Sequence, residues 1–367
     1  MQAQRLLILF SFLTYVLTQT TTTAEGATDV IGYFTQETQT EAGQGQTWLR
    51  MAHGKPHGCV QATVNINSAL PSQYQQGIFV PGASYPAFIR FSNGVGRGFT
   101  PLLNANESDA VPDIRGFGLK IFNCAKGWPN TPSVDFQFTT SRVGFLPDIP
   151  SAVSFFSAVY SGNLATTAWL ATNPRLATLF AAQGIDGNVD NLLTADWWTP
   201  VVSRFGPTYF KSHLYPCGSS PKAAEDAAEG LDREAKSRFF KSFNYYTDLL
   251  VQDLGSASSC FTWAIQFWQS NSTTPIDDTT IQWNTPFTPV ASITIPKQTF
   301  MSPGQQTYCD YMSFNPALNI PAHAPVGVLQ ELRSAVYTAM PPVRRAALGL
   351  NPKGVTTCTD YNNYPHM

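Results

Sequence analysis

Four short runs in the first half of the chain, residues 60–66, 87–92, 116–122 and 134–139, constrain its fold most. Each alternates in character at a period of two and is rich in β-branched and aromatic residues, the pattern of strands packed against a core. Pro81-Gly82 and Asn93-Gly94 punctuate them as turns. From 150 to 183 the period changes, and Val153, Phe156, Val159, Leu164, Leu170, Leu176 and Phe180 recur at helical spacing. A second helical stretch is predicted over 223–254, strands return at 260–268 and 290–295, and two helices close the chain at 326–338 and 342–348. The polar stretch up to Gln46 carries no assignment. No low-complexity linker or fixed-period repeat divides the chain, which predicts one α+β domain over residues 25–367. The order of its strands is not legible.

Residues 6–17 are apolar apart from Ser11 and Thr14, and small and polar residues follow to Gly26. That pattern predicts a signal peptide over residues 1–24, hence a secreted protein. The apolar run is shorter than the ~18 residues that a membrane helix needs, so no membrane span is expected. Charged residues are 13% and the net charge is −2, which gives no electrostatic footprint for nucleic acid or an anionic membrane. Six widely spaced cysteines with no Cys-x-x-Cys fit disulfides better than a zinc or iron–sulfur site, without selecting a pairing. Asn106-Glu107-Ser108 and Asn271-Ser272-Thr273 are glycosylation acceptors.

Three segments carry chemistry. Arg333 and Tyr337 are four apart in a predicted helix and project from one face. A phenol has a pKa of about 10, and a guanidinium beside it favours the phenolate, a ligand for ferric iron. Taken alone this spacing is common on helices. His53 lies in Arg50-Met51-Ala52-His53, and Gly54 and Pro56 argue against a helical metal pair with His57. A single imidazole in such a segment suits proton transfer. Arg90 sits among Phe88, Ile89 and Phe91, and an arginine entering an apolar site needs an anion. Gly94, Gly96 and Gly98 open no helix, so a dinucleotide fingerprint is not supported.

Together these segments resemble the catalases, and more closely the small catalase-like haem proteins without the long arm and extra carboxy-terminal domain. The likeness rests on Arg50-x-x-His53, Arg90-Phe91-Ser92, the strand from Asp113 to Lys120, Ser313-Phe314-Asn315-Pro316, His323-Ala324-Pro325 and Arg333 to Tyr337. It spans residues 50–345. The resemblance implies an antiparallel β-barrel core with surrounding helices and a ferric haem cofactor whose iron is held by Tyr337. It implies that Arg333 keeps that ligand as phenolate, and that Arg50, Arg90 and Arg344 pair with the haem propionates. His53 becomes the acid–base on the distal side, oriented by Ser92. His323 matches a family position and is taken as structural. A small-molecule peroxide substrate is implied, and a homo-oligomer is left open.

One departure matters. The family's distal asparagine aligns with Thr140, whose hydroxyl lacks the paired donor and acceptor of an amide. Efficient peroxide dismutation is therefore less secure than haem binding. The expected activity is a haem-dependent catalase or peroxidase acting on hydrogen peroxide or organic peroxides. The alternatives are rearrangement of fatty-acid hydroperoxides, as in allene oxide synthases of this fold, and a non-catalytic haem-binding scaffold.

Overall fold

The computed structural model describes residues 22–47, 49–94, 108–109, 111–129, 131–218, 243–350 and 354–365. Residues 1–21 of the expected signal peptide, the acceptor at Asn106 and the 223–242 part of the second helical stretch lie outside the described residues.

The four predicted runs form an antiparallel meander of β1 (Pro56–Ile66), β2 (Ser84–Asn93), β3 (Arg115–Phe122) and β4 (Ser133–Thr139). The sheet continues through β5 (Trp197–Trp198), β7 (Thr208–Pro216), β8 (Ser259–Phe267) and β9 (Thr288–Ile295), and β9 pairs back onto β1. Closure leaves the eight strands of this ring without a free edge. Outside the ring, β6 (Val202–Phe205) pairs with β7, and β10 (Pro325–Val326) pairs with β6.

Alternation decides what fills the barrel and what faces away. Ile89 and Phe91 of β2, Phe117 and Leu119 of β3, and Phe136 and Phe138 of β4 join Trp197, Leu214 and Trp263 in one buried cluster. The rings of Phe117 and Trp197 lie 5.4 Å apart and those of Phe136 and Trp263 5.1 Å apart. At alternate positions, Arg90, Ser92, Gly116, Gly118 and Gln137 turn to the other face and line a cavity there.

Helices cover that outer face. Helix α1 (Thr23–Gly43) opens on a capping box between Thr22 and Glu25. The helices α2 (Ile149–Tyr160), α3 (Asn163–Thr172) and α4 (Pro174–Asp186) fill the single stretch predicted over 150–183. The remaining helices are α5 (Tyr245–Ser256), α6 (Pro303–Tyr311), α7 (Val328–Ala347) and α8 (Cys358–Asn362). Val30 and Phe34 of α1 meet Met51 and Val336 in a small cluster that closes the cavity roof.

Two expectations differ from the structure. The polar stretch before Gln46 contains α1, whose buried positions, Ala27, Val30, Phe34, Thr38 and Glu41, follow helical spacing but include two polar residues. The two terminal helices are one: α7 runs through Pro341 and Pro342, held on either side by buried Leu332, Val336 and Arg344. Packing there outweighs the ~3 kcal/mol by which a proline disfavours a helix interior. All six cysteines pair, as Cys59–Cys309, Cys124–Cys358 and Cys217–Cys260. No described helix is long and apolar enough to cross a membrane.

Candidate functional site

A cavity lies between the outer face of β2–β4 and the helices α1 and α7. Phe34, Met51, Phe138, Phe314, Val336 and Met340 give it an apolar lining. His53, Arg50, Arg90, Ser92, Tyr337 and Arg344, all expected from the sequence, line it too.

His53 precedes β1 with φ 58°, in the left-handed region that a non-glycine residue seldom adopts. Its backbone N–H donates to the Gly94 carbonyl at 2.8 Å. The ring Nδ1 is 3.1 Å from the Asn93 carbonyl and 3.3 Å from Ser92 Oγ. A carbonyl only accepts, so Nδ1 carries the proton and Nε2 keeps a lone pair. Burial lowers the His53 pKa from 6.5 to about 4, and the charges of Arg90 and Arg333 push the same way. At neutral pH the ring is a neutral proton acceptor. Gly116 makes the room: a Cβ there would lie 2.3 Å from His53 Nδ1 and 2.8 Å from Ser92 Oγ.

Arg50, Arg90 and Arg344 are held by main-chain carbonyls. Arg50 donates to Met312 at 2.9 Å, Arg90 to Gly54 at 3.0 Å, and Arg344 to Met312 at 3.0 Å and to Asp310. Arg90 and Arg344 are 5% and 4% exposed. Desolvation is the main cause that pulls all three below the ordinary arginine range; repulsion from Arg345 adds to it at Arg50, and repulsion from Arg50 at Arg90 and Arg344, with Asp310 as an opposing charge. Among the described residues no carboxylate lies within ion-pair distance of any of the three. Three crowded guanidinium groups beside an apolar cavity make an acceptor for an anion.

Tyr337 and Arg333 share one face of α7, and the guanidinium sits 5.6 Å from the centre of the phenol ring. Arg333 donates to Gln330 Oε1 at 2.8 Å and to Gln137 Oε1 at 3.5 Å, both neutral partners. Thr140 stands apart. It is buried at 3% exposure and is not among the residues that line the cavity; its hydroxyl accepts from the Arg115 backbone N–H at 3.1 Å. His323 accepts from the Ile78 N–H at 3.1 Å within the core, a structural position.

Sequence reasoning missed three contributors. Asn93 was read as a turn, but it ends β2 and offers its carbonyl to His53. Gln137 was detectable in principle, as a polar residue at an alternate position of β4. The carbonyls at the end of α6 that hold Arg50 and Arg344 leave no trace in side-chain pattern.

No protein-family model and no curated protein sequence matches the chain. Solved structures do. A fungal catalase superposes with a TM-score of 0.61 at 15% identity, covering 83% of this chain and 60% of its own. A bacterial catalase gives 0.58 at 16% identity with the same coverage, and catalase A from Saccharomyces cerevisiae gives 0.55 at 14%. The protein therefore has a catalase-like fold, and it spans about 60% of the length of the catalases it matches.

Proposed function

We propose that this chain is a secreted, haem-dependent enzyme that consumes peroxides. The observation that carries this reading is the cluster of Arg50, Arg90 and Arg344, with no carboxylate within ion-pair distance among the described residues, beside an apolar cavity that also holds Tyr337 and a neutral His53. Haem fits that donor set: the arginines would take its two propionates, the apolar walls its macrocycle, and Tyr337 the ferric iron. Bound there, it supplies a redox-active centre for cleavage of the peroxide O–O bond.

The chain's own residues handle protons and position. His53 Nε2 accepts a proton from one peroxide oxygen and returns it to the departing one. The Asn93 carbonyl and Ser92 keep the ring in the tautomer this needs. Arg333, whose hydrogen-bond partners among the described residues are the neutral Gln330 and Gln137, stands beside the Tyr337 ring. Three disulfides support an extracellular setting.

The position of Thr140 favours a second reading. Its hydroxyl is engaged by the main chain away from the cavity, and the polar partner expected beside His53 is not supplied from there. With the apolar lining, this favours an organic hydroperoxide, including rearrangement of fatty-acid hydroperoxides, over rapid dismutation of hydrogen peroxide.

The test begins with absorption spectra of the purified chain with haemin, wild type beside Tyr337→Phe. A one-to-one ferric spectrum of phenolate type in wild type, lost in the variant, is expected. Oxygen release, donor oxidation or a product from a lipid hydroperoxide should then disappear in His53→Ala. Absence of any specific haem spectrum in wild type overturns the proposal.

A further inference from the structure

His57 plays no part in the chemistry above, yet it is 1% exposed and lies four residues from His53. Its Nε2 is 2.8 Å from Asn93 Oδ1, and its Nδ1 has no hydrogen-bond partner among the described residues. Asp109 Oδ2 lies 3.7 Å from Nδ1, beyond hydrogen-bond distance. A buried ring nitrogen without a partner is costly, and an apolar side chain would fill the same space without that cost. The return is the bond to Asn93.

Asn93 connects the two histidines. Its carbonyl accepts from His53 Nδ1, and its backbone N–H donates to the Lys55 carbonyl at 3.0 Å. Its side-chain Oδ1 accepts from His57 Nε2 and from Arg115 Nη1, and its Nδ2 donates to Asp109 Oδ1 at 3.2 Å. Since Arg115 can only donate, Oδ1 is fixed as the acceptor and His57 must carry its proton on Nε2. Next along the chain, Gly94 accepts from the His53 N–H and donates to Asp113 Oδ2 at 2.8 Å. The left-handed backbone of His53 persists only where its surroundings over-determine it. Residues 93 and 94 supply that constraint.

We propose that His57 and Asn93 are positioning residues for the cavity: gripped by His57 and Arg115, Asn93 holds His53 in its strained backbone and in the tautomer with a bare Nε2. The role assigned to His53 rests on the function proposed above; the tautomer does not.

The test is imidazole ¹⁵N spectroscopy of the histidine-labelled full chain at pH 7 without haemin, with only five histidines to assign. Wild type should show opposite tautomers, His53 protonated on Nδ1 and His57 on Nε2. In His57→Leu, about a tenth or more of His53 should shift its proton to Nε2. His57→Gln, whose amide can still donate to Asn93 Oδ1, should restore the single form. Asn93→Ser, which keeps the carbonyl but loses the amide, should give the same mixture as His57→Leu. A pure Nδ1–H form of His53 in either folded variant overturns the proposal, and so does a wild-type His57 protonated on Nδ1. If both variants fail to fold, the wild-type pair and His57→Gln decide it: opposite tautomers in wild type with His53 unchanged in His57→Gln support it, and any other pattern overturns it. A chain that binds no haem but shows these tautomers refutes the enzyme and leaves the positioning pair standing.

Discussion

His323 offers a test of the fold that needs no cofactor. It is fully buried beside Phe79, Phe136, Phe205 and Phe210. Because Ile78 N–H donates to Nε2, the ring is neutral and its proton sits on Nδ1, 3.4 Å from the Arg204 carbonyl. Desolvation lowers its pKa from 6.5 to about 4, against opposing hydrogen bonds to main-chain carbonyls. In the unfolded chain the imidazole takes up a proton as pH falls through 6.5, and in the folded chain it does not until about pH 4. The unfolded state thus binds more protons across that window, and stability is lost on acidification. The span corresponds to about 3 kcal/mol, most of it gone by pH 4.5. In His323→Gln the amide oxygen can still accept from Ile78, but nothing titrates. Above pH 7 the variant should trail wild type by a constant margin. Between pH 7 and 4.5 wild type should lose about 2–3 kcal/mol relative to it, measured by denaturant unfolding at each pH. A gap that does not change with pH would refute the burial of a neutral His323.

Two further outcomes follow from the cavity. Gly116→Ala drives a methyl into the His53 ring and should destabilise the chain by about 1–3 kcal/mol in denaturant unfolding, with loss of any His53-dependent activity. Arg90→Met removes a buried cation with no carboxylate within ion-pair distance among the described residues; the chain without haem should gain about 1 kcal/mol or more in unfolding experiments while haem affinity falls about tenfold in titration.

How far the sequence goes depends on what signals each element. The strands β1–β4 are legible because one face packs the barrel and the period of two survives in their residues. The strand β5, two residues long, and the short β6 carry too little pattern: β5 is placed by closure of the ring and β6 by its pairing with β7 and β10. Helix α1 hides because Thr38 and Glu41 occupy its buried stripe. Prolines 341 and 342 predict a break that tertiary packing overrides. At the site, His53, Arg90, Arg344 and Tyr337 stand out by residue type, and the cavity brings them together. Asn93 acts through its main chain, and main-chain chemistry has no sequence signature. Thr140 shows the limit of motif matching: the aligned position is occupied by a side chain that serves the backbone of Arg115.

The period of two in β2–β4 also separates two kinds of inheritance. Ile89, Phe91, Leu119 and Phe136 answer to the interior of the barrel, Arg90, Ser92, Gly116, Gly118 and Gln137 to what occupies the space outside, and Phe117 and Phe138 pack inside while still touching the cavity. Substitutions at the second set can alter what the cavity accepts without reopening the question of whether the barrel closes. The safeguard is fragile in one direction. Inserting a single residue at the start of β3 would turn that strand over, placing Gly118 and Lys120 inside the barrel and Leu119 outside it, so such strands can drift by substitution but hardly by changes in length.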